Sequence, residues 1–152
     1  MIDKLPATAC TRRVAMVRTA ALAFAPAGSY AAGRAFPAVP DGSWYQAAAA
    51  QKSLAESWGD QPYGAVVVLN GTLAGEGPSR VVKDKDINAH AERVAIRDAQ
   101  RRLGRADLAG SVLYSTSRPC ALCEAAAARA GVSRMYFGPA LMDAGPPRSV
   151  AQ

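Results

Sequence analysis

The chain has 152 residues, enough for one domain with a substantial hydrophobic core, and half of them are apolar, which excludes disorder of the whole chain. Three cysteines are too few for a disulfide framework. The net charge of +6 is unevenly spread: residues 1–40 hold five basic side chains against Asp3, and residues 41–152 hold thirteen against eleven acidic ones. The body of the chain therefore does not demand a surface that tracks nucleic-acid phosphates.

Residues 1–40 read as a leader and linker. Arg12 and Arg13 precede an apolar, alanine-rich stretch from Thr19 to Ala32, with small-residue exits at Ala23-Phe24-Ala25 and Ala25-Pro26-Ala27 and a linker holding Pro37 and Pro40. This order resembles a bacterial export signal of the twin-arginine type and predicts a periplasmic or secreted protein. Arg18 inside the apolar part counts against it. The alternative is a cytoplasmic protein whose N-terminal arm packs on the domain. Either way the apolar run is too short to span a membrane.

Residues 41–152 read as one domain. Asp41 or Ser43 can cap a helix through Trp58, rich in alanine and ended by Gly59-Asp60-Gln61-Pro62. The β-branched run Ala65–Leu69 predicts a buried strand, and Asn70-Gly71 a two-residue hairpin turn into a weaker strand, Thr72–Glu76. A polar loop over Pro78–Asp86 leads to a helix from about Ala89 to Leu103, capped by Asn88. A third strand over Val112–Thr116, a helix from Cys120 to Arg129 opened by Pro119, and a strand over Ser133–Phe137 complete the pattern. The tail beyond Gly138 is rich in proline and glycine. This order predicts an α/β fold, a three-layer α/β/α domain around a mixed sheet of at least four strands.

The chemistry lies in His90-Ala91-Glu92 and Pro119-Cys120-Ala121-Leu122-Cys123. His90 is the only histidine in the chain. One imidazole and two thiols make three zinc ligands and leave the fourth corner for water, as a catalytic site requires. Glu92 stays off the metal and is free to move protons. Taken alone, a C-x-x-C also suits a redox pair or a structural zinc site. The upstream His-x-Glu has no use in either, and the joint signature is that of zinc-dependent base deaminases. Helix N-termini at both ligand segments are expected to lower the thiol pKa values. His90 and Glu92 are two apart and would diverge by about 200° in a regular helix, so they can converge only at a loosely wound first turn.

At these residues the chain resembles the cytidine-deaminase-like superfamily, and within it the branch of guanine deaminases and bacterial tRNA adenosine deaminases. The similar segments are Pro62–Val68, Glu76-Gly77 with Arg80-Val81, Asp86 with Ala89–Glu92, Ala95–Arg97, Leu113-Tyr114 with Thr116, and Pro119-Cys120 with Cys123. The resemblance implies one Zn²⁺ per chain on His90, Cys120 and Cys123, Glu92 as the catalytic residue, and a substrate pocket built with Ser79, Gly64, Ala65, Ala91 and Pro119. Gly64 and Ala65 would form the pocket floor, with backbone that contacts the base. Three departures stand out: Ser79 replaces a purine-binding asparagine, Arg118 replaces a glutamate before Pro119-Cys120, and only fourteen residues follow Gly138, a shortened C-terminus.

The expected activity is hydrolytic deamination of a small nucleobase or nucleoside, a purine resembling guanine, with release of ammonia. The alternatives are a tRNA adenosine deaminase, a cytosine or cytidine deaminase, and a zinc-stabilised binding module without catalysis. A nucleic-acid partner is disfavoured by the charge distribution but left open. A homodimer is expected, with alanines 125–128 as a close-packing face.

Overall fold

The computed structural model describes residues 42–149, so the leader read in residues 1–40, and Cys10 with it, lie outside the described residues. Helix α1 spans Gly42–Ser57, and Gly59 at φ 74° turns the chain away after it. Strand β1, Gly64–Leu69, and strand β2, Thr72–Pro78, are joined by Asn70 and Gly71, both at positive φ (52° and 70°). Leu69 faces Thr72 across this turn, the two-residue hairpin expected of Asn-Gly. Helix α2 follows at Ala91–Leu103, strand β3 at Ser111–Ser115, helix α3 at Ala121–Arg129, strand β4 at Arg134–Phe137 and strand β5 at Met142–Gly145.

The sheet runs β2-β1-β3-β4-β5. Only β3 and β4, bridged by α3, are parallel; the other pairings are antiparallel. The period-two alternation of each strand separates two cores. Val66, Val68, Val112 and Tyr114 pack with Ala48 of α1 on one face. Ala65, Val67, Leu113 and Met135 pack on the other face with Ala91, Ala95, Ile96 and Ala99 of α2 and Ala127 of α3. The result is the three-layer α/β/α arrangement expected from the element order.

Five details differ from the sequence reading. Helix α2 begins at Ala91, not near Ala89: His90 is its N-cap, in extended geometry (φ −62°, ψ 150°). Asn88 does not cap it; its Oδ1 accepts from Arg93 Nη1 at 2.8 Å. Helix α3 is capped by Cys120, so Pro119 precedes the cap and does not open the helix. The tail adds a fifth strand, β5, tied to β4 by an Arg134–Asp143 ion pair. Ala125 and Ala127 of the expected dimer face are buried inside the domain.

Candidate active site

Two strands deliver the chemistry to one edge of the sheet. In register, Gly64 of β1 faces Pro78 at the end of β2, and Ala65 faces Ser115 at the end of β3. The carboxyl ends of β2 and β3 therefore flank the amino end of β1 at the same end of the sheet, and open α/β sheets bind ligands outside the carboxyl ends of their strands. From there the chain enters α2 through His90 and α3 through Cys120, so both caps meet.

They meet at bonding range. His90 Nδ1 lies 3.5 Å from Cys123 Sγ and 3.7 Å from Cys120 Sγ. A tetrahedral zinc with Zn–N of ~2.0 Å and Zn–S of ~2.3 Å has N···S edges of ~3.5 Å. Among the described residues, His90, Cys120 and Cys123 form the one group of three such side chains able to hold a metal ion, their ligand atoms all within 4.8 Å. Extended geometry at His90 answers the angular problem of a His-x-Glu pair: His90 stands outside the helix and Glu92 inside its first turn.

Glu92 is buried, and the Cys123 thiol donates to its Oε2 at 3.5 Å. Burial raises the Glu92 carboxyl above the ordinary carboxylate range, against hydrogen bonds from its own N–H and from Cys123 that pull it down. Burial also raises the Cys123 thiol, and the neighbouring Glu92 charge adds to this. The expected lowering by the helix N-terminus is thus outweighed at Cys123. A metal cation held there would bind the thiolate and displace the thiol proton to solvent. Cys120 Sγ accepts from the Cys123 N–H at 3.4 Å. The donor set fits zinc.

The substrate-binding set fares unevenly. Ala91 and Pro119 are buried and flank His90 and Cys120 in sequence, next to the ligands. Gly64 is engaged otherwise: its N–H donates to Thr116 Oγ1 at 3.1 Å, and its carbonyl accepts from the Thr116 N–H at 2.9 Å. Its missing Cβ admits α1, since an added Cβ would lie 2.1 Å from the Ala48 oxygen. Ala65 is fully buried in the core between sheet and helices. Neither residue forms an open floor with free backbone.

Ser79 is fully buried and donates its hydroxyl to Asp60 Oδ1 at 2.9 Å, so it offers no donor to a substrate. Its partner is the residue that sequence reasoning missed. Asp60 also accepts from the N–H groups of Gln61, Val82 and Lys83 at 2.7–3.0 Å. Trp58 lies beneath the same loop, with Lys83 Nζ 3.4 Å from its ring centroid. The Arg80 N–H donates to the Ala89 carbonyl at 3.0 Å, which ties the loop to the residue before His90. Asp60 looked like a helix terminator in Gly59-Asp60-Gln61-Pro62, and no periodicity marks a buried carboxylate.

A donor set that leaves one corner open, beside an acid that is not itself a ligand, defines a class: the zinc-dependent deaminases of nucleobases and nucleosides. Residues 40–139 match the cytidine and deoxycytidylate deaminase zinc-binding region, and the chain belongs to that family. It is 33% identical over 103 residues to the tRNA-specific adenosine deaminase of Buchnera aphidicola, covering 68% of each chain. A solved structure from work on A-to-I editing by tRNA:A34 deaminases superposes at a TM-score of 0.62 with 35% identity, covering 64% of this chain and 71% of that one. The guanine deaminase of Bacillus subtilis superposes at 0.62 with 30% identity, covering 66% and 64%. The chain spans about half to two thirds of the length of the first curated relatives it matches. Among the described residues no helix is long and apolar enough to cross a membrane.

Proposed function

We propose that the chain is a zinc-dependent hydrolytic deaminase of a purine nucleobase or nucleoside, guanine foremost, releasing ammonia. The observation that carries this is the convergence of His90 Nδ1 with both thiols while the Glu92 carboxyl sits buried against Cys123. Zinc held by His90, Cys120 and Cys123 would supply Lewis-acid chemistry that lowers the pKa of a water towards neutrality. Glu92 accepts one proton of the attacking water and delivers it to the ring nitrogen beside the amino-bearing carbon; it then takes the second proton, from the hydroxyl now on that carbon, and hands it to the amine, which leaves as ammonia. A carboxyl raised by burial suits a group that must both take and return a proton. The imidazole and thiols hold the metal and take no further part.

Glu92→Gln tests this directly. Metal analysis should find close to one zinc per chain in the wild type and in the variant, with ammonia release down by roughly 10²- to 10⁴-fold. Cys120→Ala should lose the metal. Retained turnover in Glu92→Gln contradicts the assignment.

The second reading is a tRNA adenosine deaminase, supported by several relatives that bear that name. Ammonia release from guanine, guanosine, adenine, cytosine, cytidine and an anticodon stem-loop separates the readings. We propose further that the chain forms a homodimer and that residues 1–40 direct its export.

A further inference from the structure

We infer that a cleft beside the metal site is a phosphate subsite built on Arg118 and Arg148. The cleft encloses about 390 Å³ and is lined by Arg118, Pro119, Ala121, Glu124, Arg148 and Ser149. Pro119 and Ala121 bracket the ligand Cys120, so the cleft and the metal site share one stretch of backbone. Arg118 leaves the carboxyl end of β3, and its guanidinium lies over the ring of Phe137, 5.9 Å from the centroid, at the carboxyl end of the parallel strand β4.

The ring contact orients the Arg118 guanidinium and uses none of its N–H groups. Arg118 has no carboxylate partner among the described residues. Arg148 is anchored by Glu124, Nε to Oε2 at 3.3 Å, with the carboxylate mostly covered and the arginine largely exposed. Glu124 thus neutralises one cation and leaves the other, and the cleft carries one net positive charge. Two planar guanidiniums lining one space suit the oxygens of a phosphate ester better than a neutral base, because the fork can bond in bidentate fashion to two oxygens of a tetrahedral anion. The charge at 118 is also the reverse of the glutamate implied by resemblance. The shared chemistry is a phosphate ester, carried by a mononucleotide or a strand, which would widen the substrate class beyond the free purine or nucleoside proposed above. Its link to turnover rests on the deaminase reading; the binding of phosphate does not.

The test is a titration of the zinc-loaded full chain with inorganic phosphate, followed on the arginine Nε–Hε resonances. Saturable shifts of the Arg118 and Arg148 signals are expected at millimolar phosphate, with the Arg148 response lost in Arg118→Gln over the same range. No saturable shift in the wild type, or an Arg148 response unaltered in the variant, overturns the subsite. The second arm compares kcat/KM for a nucleoside, its 5′-monophosphate and an RNA stem-loop. The preference for the phosphorylated substrate over the nucleoside should fall roughly tenfold or more in Arg118→Gln. A fall for the monophosphate assigns the subsite to mononucleotides, and a fall for the stem-loop alone assigns it to a strand. A ratio that moves for neither overturns the role in substrate selection. If neither these substrates nor guanine is deaminated, the deaminase reading fails and the phosphate titration still decides the subsite.

Discussion

Asp60 holds the loop between β2 and α2 with one carboxylate, which accepts from Gln61, Ser79, Val82 and Lys83. Burial works against its charge, but the hydrogen bonds from Lys83, Gln61, Ser79 and Val82 hold its pKa below the ordinary carboxylate value. A carboxyl lowered on folding stabilises the fold fully above its unfolded pKa of ~3.9 and loses that contribution as pH falls through the lower folded value. Asp60→Asn should therefore cost roughly 1–3 kcal/mol near neutrality. Urea midpoints of the two proteins should stay separated from pH 5 to 8 and draw together below about pH 4. A gap that ignores pH would show that the charge of Asp60 does not hold the loop. At this scale the metal ligands were legible, because zinc chemistry restricts both residue type and spacing. The role of Ser79 was not, since the partner of a hydroxyl is decided by tertiary packing: Asp60 lies nineteen residues away in sequence.

The strand over Thr72–Glu76 looked weak because of Gly75, and the structure gives a purpose to that glycine and to Gly77 beyond it. A Cβ added to Gly77 would lie 2.1 Å from the Ala91 oxygen and 2.4 Å from the Ala95 nitrogen; at Gly75 it would lie 2.5 Å from the Ala95 oxygen. Helix α2 thus rests on β2 backbone to backbone. Overpacking of this kind costs roughly 1–3 kcal/mol. Gly77→Ala should lower the melting temperature and also cut turnover, because it displaces the first turn of α2, where Glu92 sits. Gly75→Ala acts a turn further on and should destabilise with less loss of kcat per folded molecule. Equal losses in both would detach turnover from the α2 N-terminus. Most elements were readable from periodicity and turn chemistry. The start of α2 was misplaced because Asn88 is a good cap by type, yet its N–H is held in a local turn by Asp86 Oδ1, leaving His90 as the cap. Strand β5 was missed because Met142-Asp143-Ala144-Gly145 has no alternating pattern. It forms because β4 offers an edge and Arg134 an ion pair.

At the scale of the whole molecule, the three layers are complete within residues 42–149, with cores on both faces of the sheet. A chain beginning at Phe36 should therefore fold, bind zinc and deaminate like the full chain, and residues 1–35 fused to a reporter should direct its export. An insoluble truncation with no export would place Val14, Val17, Leu22 and Phe24 in the fold and refute the leader reading. Light scattering on both lengths checks the proposed homodimer. The layer order was legible because element type and order dictate it.

The close seat of α2 on β2 also bears on how such a protein can diverge. Where backbone meets backbone through Gly75, Gly77, Ala91, Ala95 and Ala99, nearly every substitution adds volume that has nowhere to go. His90 and Glu92 ride on that seat, so lineages descending from this chain inherit the reactive geometry almost unaltered. The segment from Arg80 to Asn88 is largely exposed and fastened chiefly through Asp60. Drift can rewrite it while the reactive half stands still. Change in such a lineage is thus free to gather beside a chemistry that is locked.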